Sequence, residues 1–309
     1  MKKAKLDENT IIEESNNEII NQNLVVNSEI SKNNENDKHV SIDDIDIKSD
    51  KQSIIVDTVN VPRVNIPKET IERLLKDIRD MVTSSLENDG IFYMHSETDI
   101  LKAYVMIIGQ PDTLYFGGYY FFSVDFPVDY PYAPPVLTFL TNDTTTRFHP
   151  NFYKIGKVCL SMLNTWRGEQ WTSCLTIKSI LLTLSSIMDN APMLHEPGIT
   201  ESHSDYNNYH TVILYKNIDF ACIKLLTSFM NTNIISFGVE YKKYFYEHMV
   251  SAFKKNVHGI IDVVNKAIKK HVSKLYKITS IYGISCLVNF NELRIKVIDE
   301  AKKYNIEVL

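Results

Sequence analysis

Cys159 is the residue of this chain whose neighbours make covalent chemistry worth considering. It lies eight residues after Asn151 and three after Gly156, in a stretch that opens with His149-Pro150-Asn151. A thiolate attacks a carbonyl carbon readily and also leaves readily, so one cysteine can receive an acyl group and give it up again. Taken alone, a single cysteine is more often a small buried hydrophobe. The case therefore rests on its company. Residues 141–172 show little periodicity and read as irregular backbone at the surface, where functional side chains are commonly held against a rigid scaffold. Cys174, Cys222 and Cys286 fall in stretches that read as helix, and as buried thiols. No Cys-x-x-Cys pair occurs, and no two cysteines are matched by histidines at zinc-binding spacing, so neither a disulfide framework nor a metal site is expected.

A scaffold for that segment can be read on either side of it. Over residues 67–86, Ile71, Leu74, Leu75, Ile78, Met81 and Val82 follow the spacing of an amphipathic helix. Pro67 suits its first turn, and Asn88-Asp89-Gly90 supplies the stop. Four runs rich in Val, Ile, Phe and Tyr follow, at 91–95, 102–108, 119–126 and 136–140. Turn residues separate them at short intervals, which predicts an antiparallel meander. Beyond the irregular segment, Thr172 or Ser173 is placed to cap a helix carrying Ile177, Ile180, Leu181, Leu184, Ile187 and Met188. The last hundred residues read as helices: one through Tyr209 and Leu225, one through Phe245 and Phe253, one from Ile260 to Leu275, and a short one through Leu293 and Ala301. The fold class expected is α+β, one meander sheet with the helices segregated from it.

Composition sets the outer limits. Residues 1–60 hold 13 acidic against 7 basic side chains, with no aromatic residue, no Gly and no Pro. Such a segment buries too little apolar surface to order itself, and it reads as a disordered tail. Residues 201–309 carry 15 basic against 10 acidic side chains, too diffuse a surplus for a nucleic-acid footprint. No apolar stretch approaches the ~18–20 residues of a membrane span, and the N-terminus has no apolar block, so a cytosolic or nuclear protein is expected. The division expected is an acidic tail at 1–60, a core at 61–230 and a helical C-terminal extension at 231–309.

Several separated motifs, in order, give the chain a family likeness. They are Tyr115, Gly117-Gly118 and Phe122; Phe126-Pro127, Tyr130-Pro131 and Pro134-Pro135; His149-Pro150-Asn151, Gly156 and Cys159-Leu160; then Trp171, Leu175-Thr176-Ile177 and Glu196-Pro197. Over roughly residues 65–230 the chain resembles the ubiquitin-conjugating enzymes. The segment from Leu160 to Trp166, the second Trp at 171, and the helical region after the core are similar to the large members charged by the second, alternative activating enzyme.

That resemblance implies partners and roles. Cys159 would take ubiquitin, or a ubiquitin-like protein, as a thioester from an activating enzyme, and pass it to a substrate lysine or a ligase cysteine. ATP would be used by the activating enzyme, so no cofactor is implied here, and neither is a nucleic acid or a membrane. Asn151 would stabilise the tetrahedral oxyanion, since an amide donates without titrating; an Asn after a Pro also caps turns. His149 would brace the loop rather than act as a base. Glu196 would orient the acceptor lysine, or stand merely as an exposed Glu at a turn, with Asp189 a second candidate for the role. Lys157 would lower the thiol pKa slightly or be simply solvated. Trp166 and Trp171 would cover the segment by packing.

The first helix would present Arg73, Lys76 and Arg79 to the activating enzyme, although Asp77 and Asp80 lie among them and an ordinary solvated face fits as well. Ligases would contact Tyr132 and the loop at Ser173. The family usually has Phe and Pro at these two positions. The missing Pro implies a restricted ligase set, which discharge by a broad RING panel would contradict. Two other readings compete. One is a conjugating-enzyme fold kept only for binding, which Cys159 together with Asn151 argues against. The other is a cysteine hydrolase, for which no second motif supplies a partner histidine.

Overall fold

Helix α1, Lys68–Thr83, begins at its expected proline: the Pro67 carbonyl accepts the Ile71 N–H at 3.2 Å. Its buried face is Thr70, Leu74, Asp77 and Met81. A carboxylate thus occupies a position that the hydrophobic pattern alone does not mark, while Val82, counted in the apolar stripe, is exposed. This computed structural model describes residues 65–232, 234–235 and 237–308; residues 1–60, and the reading of them as a disordered tail, lie outside the described residues.

The sheet follows as an antiparallel meander in the order β1-β2-β3-β4. Its strands are β1 (Ile91–His95), β2 (Lys102–Ile108), β3 (Tyr119–Asp125) and β4 (Val136–Phe139). Directly paired residues point to the same side of a sheet. The pairs Phe122–Phe139 and Val124–Leu137 therefore share one face with Tyr120, and Tyr119 and Phe121 share the other. Both faces are covered. On the first, Phe122 meets Phe139 and Phe152, each with ring centroids 5.4 Å apart. On the second, Phe121 meets Phe229, Phe237 and Phe245 at 4.9, 5.7 and 5.5 Å, and the Tyr119 hydroxyl donates to the Met249 carbonyl at 2.9 Å. Each such aromatic pair adds about 0.5–1.5 kcal/mol beyond its area burial.

Helix α2, Ile177–Ile187, is capped by Thr176, whose side chain accepts the Ser179 N–H at 3.3 Å. The cap is therefore neither Thr172 nor Ser173, and Cys174, read above as a buried helical thiol, is exposed in the turn ahead of the helix. Helix α3, Tyr206–Lys216, continues through a π-helical segment, Asn217–Lys224, into α4, Leu225–Ser228. The π segment holds buried Cys222 and buried Asn217; the Asn217 amide accepts from the Tyr120 hydroxyl at 2.7 Å and donates to the Phe116 carbonyl at 2.9 Å.

The C-terminal extension differs from its expected form in two ways. Phe245, Phe253 and Ile260 belong to one helix, α5 (Val239–Lys270). It runs through Gly259 because the bare backbone there faces the Phe116 ring, where a Cβ would lie 3.0 Å from a ring carbon. Val272 and Leu275, taken as the end of that helix, lie beyond it. Leu275 is on a strand, β5 (Lys274–Ile278), which pairs with β6 (Ile284–Val288) as an antiparallel hairpin carrying Cys286. Helix α6, Phe290–Lys303, closes the chain, capped by Asn289. Among the described residues no helix is long and apolar enough to cross a membrane.

Candidate active site

Residues 149–159 fold back on themselves and dock on the edge strand of the meander. Isolated bridges join His149 to Phe152, Phe152 to Val158, and Lys157 to Thr138 on β4. The Phe139 N–H donates to the Gly156 carbonyl at 2.7 Å. Gly156 has φ +89°, a left-handed conformation that side chains disfavour, and a Cβ there would come within 2.8 Å of the Thr138 methyl. Glycine is thus required at that position, three residues before the thiol. Ile155, at the tip, is 85% exposed.

Cys159 is held at the end of this loop by a reciprocal pair of hydrogen bonds. Its N–H donates to the Asn151 carbonyl at 2.9 Å, and the Asn151 side-chain amide donates to the Cys159 carbonyl at 2.5 Å. Asn151 is buried, and among the described residues its side-chain oxygen has no partner. Cys159 is itself only 1% exposed, which corrects the expectation of a surface residue. The chain beyond it turns back rather than leaving: Ser161–Leu163 forms a 3-10 turn, and the Thr165 hydroxyl accepts the Leu160 N–H at 2.9 Å while contacting the Val158 carbonyl at 3.0 Å. Trp171 is buried against the Tyr130 ring, with its indole N–H donating to the Pro131 carbonyl at 2.7 Å. Trp166 is only half-buried.

His149 is fully buried, with both ring nitrogens engaged: Nδ1 accepts the Asn151 N–H at 3.0 Å, and Nε2 lies 3.0 Å from the Ile187 carbonyl, to which it must donate. Burial first, then the proximity of His195 and Arg147, hold its pKa well below the ordinary imidazole value. It is a neutral strut between the loop and α2, with no lone pair left to take a proton.

Sequence reasoning missed Arg147, which braces the same loop from the other side. Its Nε donates to the His149 carbonyl at 3.1 Å and one Nη donates to the Pro150 carbonyl. The guanidinium lies 3.4 Å from the centroid of Tyr153. Nothing in the local pattern marks that arginine, because Tyr209, whose hydroxyl bonds to the Arg147 carbonyl, comes from α3.

The two acidic candidates face different partners. The Asp189 carboxylate meets His195 Nε2 at 2.9 Å and accepts the Ala191 N–H at 2.8 Å. Glu196 accepts the Tyr282 hydroxyl at 2.7 Å. The two lie on one short stretch, linked to the cysteine loop where the His195 and His149 rings approach to 5.0 Å. Lys157 is exposed, with its ammonium 6.0 Å from the Tyr153 centroid.

A second cluster joins α1 to the loops at Tyr132 and Ser173. Tyr132 is 74% exposed, and Ser173 is exposed beyond Trp171. The expectation that Arg73 shares a solvated face with Lys76 and Arg79 is corrected here. Its Nε pairs with buried Asp77 at 3.0 Å, and its two Nη atoms donate to the Ser173 and Leu175 carbonyls, both at 2.5 Å. Asp77 also accepts the Tyr130 hydroxyl. Lys76 and Arg79 remain exposed. Truncating Arg73 would leave a buried carboxylate short of its cation, which typically costs 3–5 kcal/mol. Arg73→Ala is therefore expected to lower unfolding stability by about 3 kcal/mol in denaturant titration, with Lys76→Ala and Arg79→Ala close to neutral. Equal small effects at all three positions would contradict this assignment.

Comparison with known proteins adds the following. The family model described as ubiquitin-conjugating enzyme matches residues 73–216. Ubiquitin-conjugating enzyme E2 Z of Xenopus tropicalis is 40% identical over 140 residues, 44% of this chain and 45% of that protein. The E2 Z protein of Homo sapiens is 37% identical over 157 residues, 50% of this chain and 44% of its own length. Ubiquitin-conjugating enzyme E2 S of Dictyostelium discoideum is 31% identical over 166 residues, 53% of this chain and 68% of that protein. Against the two E2 Z proteins, the matched region spans about half of the relative's length.

Proposed function

Because the chain belongs to the ubiquitin-conjugating enzyme family, we propose that Cys159 accepts the C-terminus of ubiquitin, or of a ubiquitin-like protein, from an activating enzyme. The observation that carries this reading is the Asn151–Cys159 pair, bonded in both directions and braced by neutral His149. In the first step the Cys159 thiolate attacks the thioester carbonyl on the activating enzyme, whose own thiolate leaves. In the second, a substrate lysine amine attacks the Cys159 thioester, an isopeptide bond forms, the amine loses a proton and the Cys159 thiolate departs; a ligase cysteine can take the acyl group instead.

Each side chain then has a part. The Asn151 amide is a donor for the oxyanion formed in either attack. Glu196 orients the lysine amine, with Asp189, committed to His195, the weaker candidate. Lys76 and Arg79 form the exposed basic face for the activating enzyme, and Arg73 supports that helix from within. Tyr132 and the turn at Ser173 offer a ligase contact on the adjoining surface.

The deciding experiment is a charging assay. The chain is mixed with ATP, ubiquitin and each of two activating enzymes, then run on a non-reducing gel. A band heavier by one ubiquitin and removed by thiol reductant is the expected result, and dependence on one activating enzyme would assign the subclass. If neither enzyme yields such a band, either the cargo is another ubiquitin-like protein or the fold is kept only for binding.

A further inference from the structure

The β5–β6 hairpin of the extension reaches back to the catalytic loop through its tip, residues 279–283. Two sets of contacts fix it there. At the start of α3, Asp205 accepts the Thr279 and Ser280 N–H groups at 3.0 and 2.9 Å and the Ser280 hydroxyl at 2.5 Å. Burial opposes ionisation of Asp205, yet the bonds from Ser280 and Thr279 hold its pKa below the ordinary carboxylate value, so this anchor is ionised at neutral pH. Next along the tip, Tyr282 packs its ring against Tyr209 at 5.3 Å and lies 5.5 Å from the Arg147 guanidinium. Its carbonyl accepts the Lys154 ammonium at 3.3 Å, and its hydroxyl donates to Glu196 at 2.7 Å. The partners of Tyr282 belong to, or directly support, the segments that carry Cys159 and Glu196: Lys154 lies in the cysteine loop, and Arg147, held by Tyr209, braces it.

The geometry points to Tyr282 as a positioning residue for transfer to lysine: it fixes the Glu196 carboxylate in one orientation, from an element outside the core. This rests on the reading of Glu196 as the group that orients the acceptor amine. Glu196 is half-buried just past a 3-10 turn, Pro192–His195, where no helix constrains its side chain. An unheld glutamate samples several rotamers, and a short charge-assisted bond from a phenol selects one of them. Burial first, then Glu196 itself, push the Tyr282 phenol above its ordinary pKa, so it remains a donor throughout the physiological range. Tyr282 touches neither the thiol nor the acyl group; its effect is on the amine, through Glu196.

The test compares two acceptors. Full-length chain is charged with ubiquitin, separated from ATP, and discharged in single turnover onto free lysine or free cysteine without a ligase. A thiol acceptor is already ionised in part and needs no carboxylate to orient it, so it serves as an internal reference. Tyr282→Phe deletes one oxygen and keeps the ring packing. It is expected to lower the lysine-to-cysteine rate ratio by about fivefold to tenfold, the scale of one ordinary hydrogen bond. Glu196→Gln is expected to lower the same ratio, and Tyr282→Phe to have no further effect in that background, because two residues acting through one carboxylate are not additive.

The outcomes separate cleanly. An unchanged ratio in Glu196→Gln would overturn the lysine-orienting reading of Glu196, and the role of Tyr282 with it. A lowered ratio in Glu196→Gln with none in Tyr282→Phe would overturn the role of Tyr282 alone. So would an equal slowing of both acceptors by Tyr282→Phe, which is the mark of a loosened loop, or independent, multiplying effects in the double variant.

Discussion

Cys159→Ala is expected to abolish the reductant-sensitive ubiquitin adduct completely, whereas Cys159→Ser accumulates a slower adduct that survives thiol reductant and yields to alkali. The difference is chemical. A serine hydroxyl is a poorer nucleophile at neutral pH and its alkoxide a poorer leaving group, so the acyl group arrives slowly and stays as an oxygen ester. Cys174 is the informative control, because its thiol is exposed while that of Cys159 is buried. If exposure alone selected the acceptor, Cys174 would be charged. The loop geometry predicts the opposite: Cys174→Ala retains the adduct, since among the described residues no side-chain amide is paired with the backbone of Cys174 as Asn151 is with that of Cys159. An adduct that persists in Cys159→Ala and disappears in Cys174→Ala would sink the assignment.

Asn151→Ala is expected to slow discharge onto lysine by about 10²–10³, equivalent to roughly 3–4 kcal/mol of transition-state stabilisation. In the resting loop one of the two amide N–H groups donates to the Cys159 carbonyl at 2.5 Å, which leaves the second as the donor for an oxyanion. Among the described residues the side-chain oxygen has no partner, so a rotation of the amide toward an oxyanion breaks no interaction there. The loss of the resting bond by itself should cost only about 1 kcal/mol of stability. The two contributions can be told apart by measuring the unfolding midpoint and the single-turnover rate on the same variant. A rate loss under tenfold would make Asn151 a loop strut and nothing more.

The elements that surround the site were legible for plain reasons. Helix α1, the meander strands and α2 each carry a local period, and local periods need no knowledge of what packs against them. The misreadings of Asp77 and Arg73 share one origin, a partner distant in sequence. Asp77 looked solvated because its partner Tyr130 lies 53 residues on, and Arg73 looked free because it answers to Ser173 and Leu175, 100 and 102 residues on. Tyr282 meets Glu196 across 86 residues. The hairpin is a different case, because its signal was present. Lys274–Ile278 and Ile284–Val288 are short runs carrying Ile, Leu, Val and Tyr, with Thr279, Ser280 and Gly283 between them as turn residues. Val272 and Leu275 happen to extend the helical spacing of α5, and that longer pattern won over the shorter one. Within the site, Cys159, Asn151 and His149 were singled out together by the family resemblance of their motif, while the burial of the thiol and the support from Arg147 depend on tertiary contacts.

The second face of the meander has a consequence for how the protein is made. Phe121 and Tyr119 are covered by Phe245 and Met249, and Tyr241 reaches Ser96 across 145 residues. During synthesis the four strands leave the ribosome well before α5 exists. Translation at ~5–20 residues per second leaves that aromatic face without its cover for several seconds. Contacts this far apart in sequence also close slowly after release. A nascent chain arrested near residue 230 is therefore expected to be open to protease and to holding chaperones, and one arrested past residue 290 to be resistant. Helix α5 thus decides when the meander sheet can finish folding.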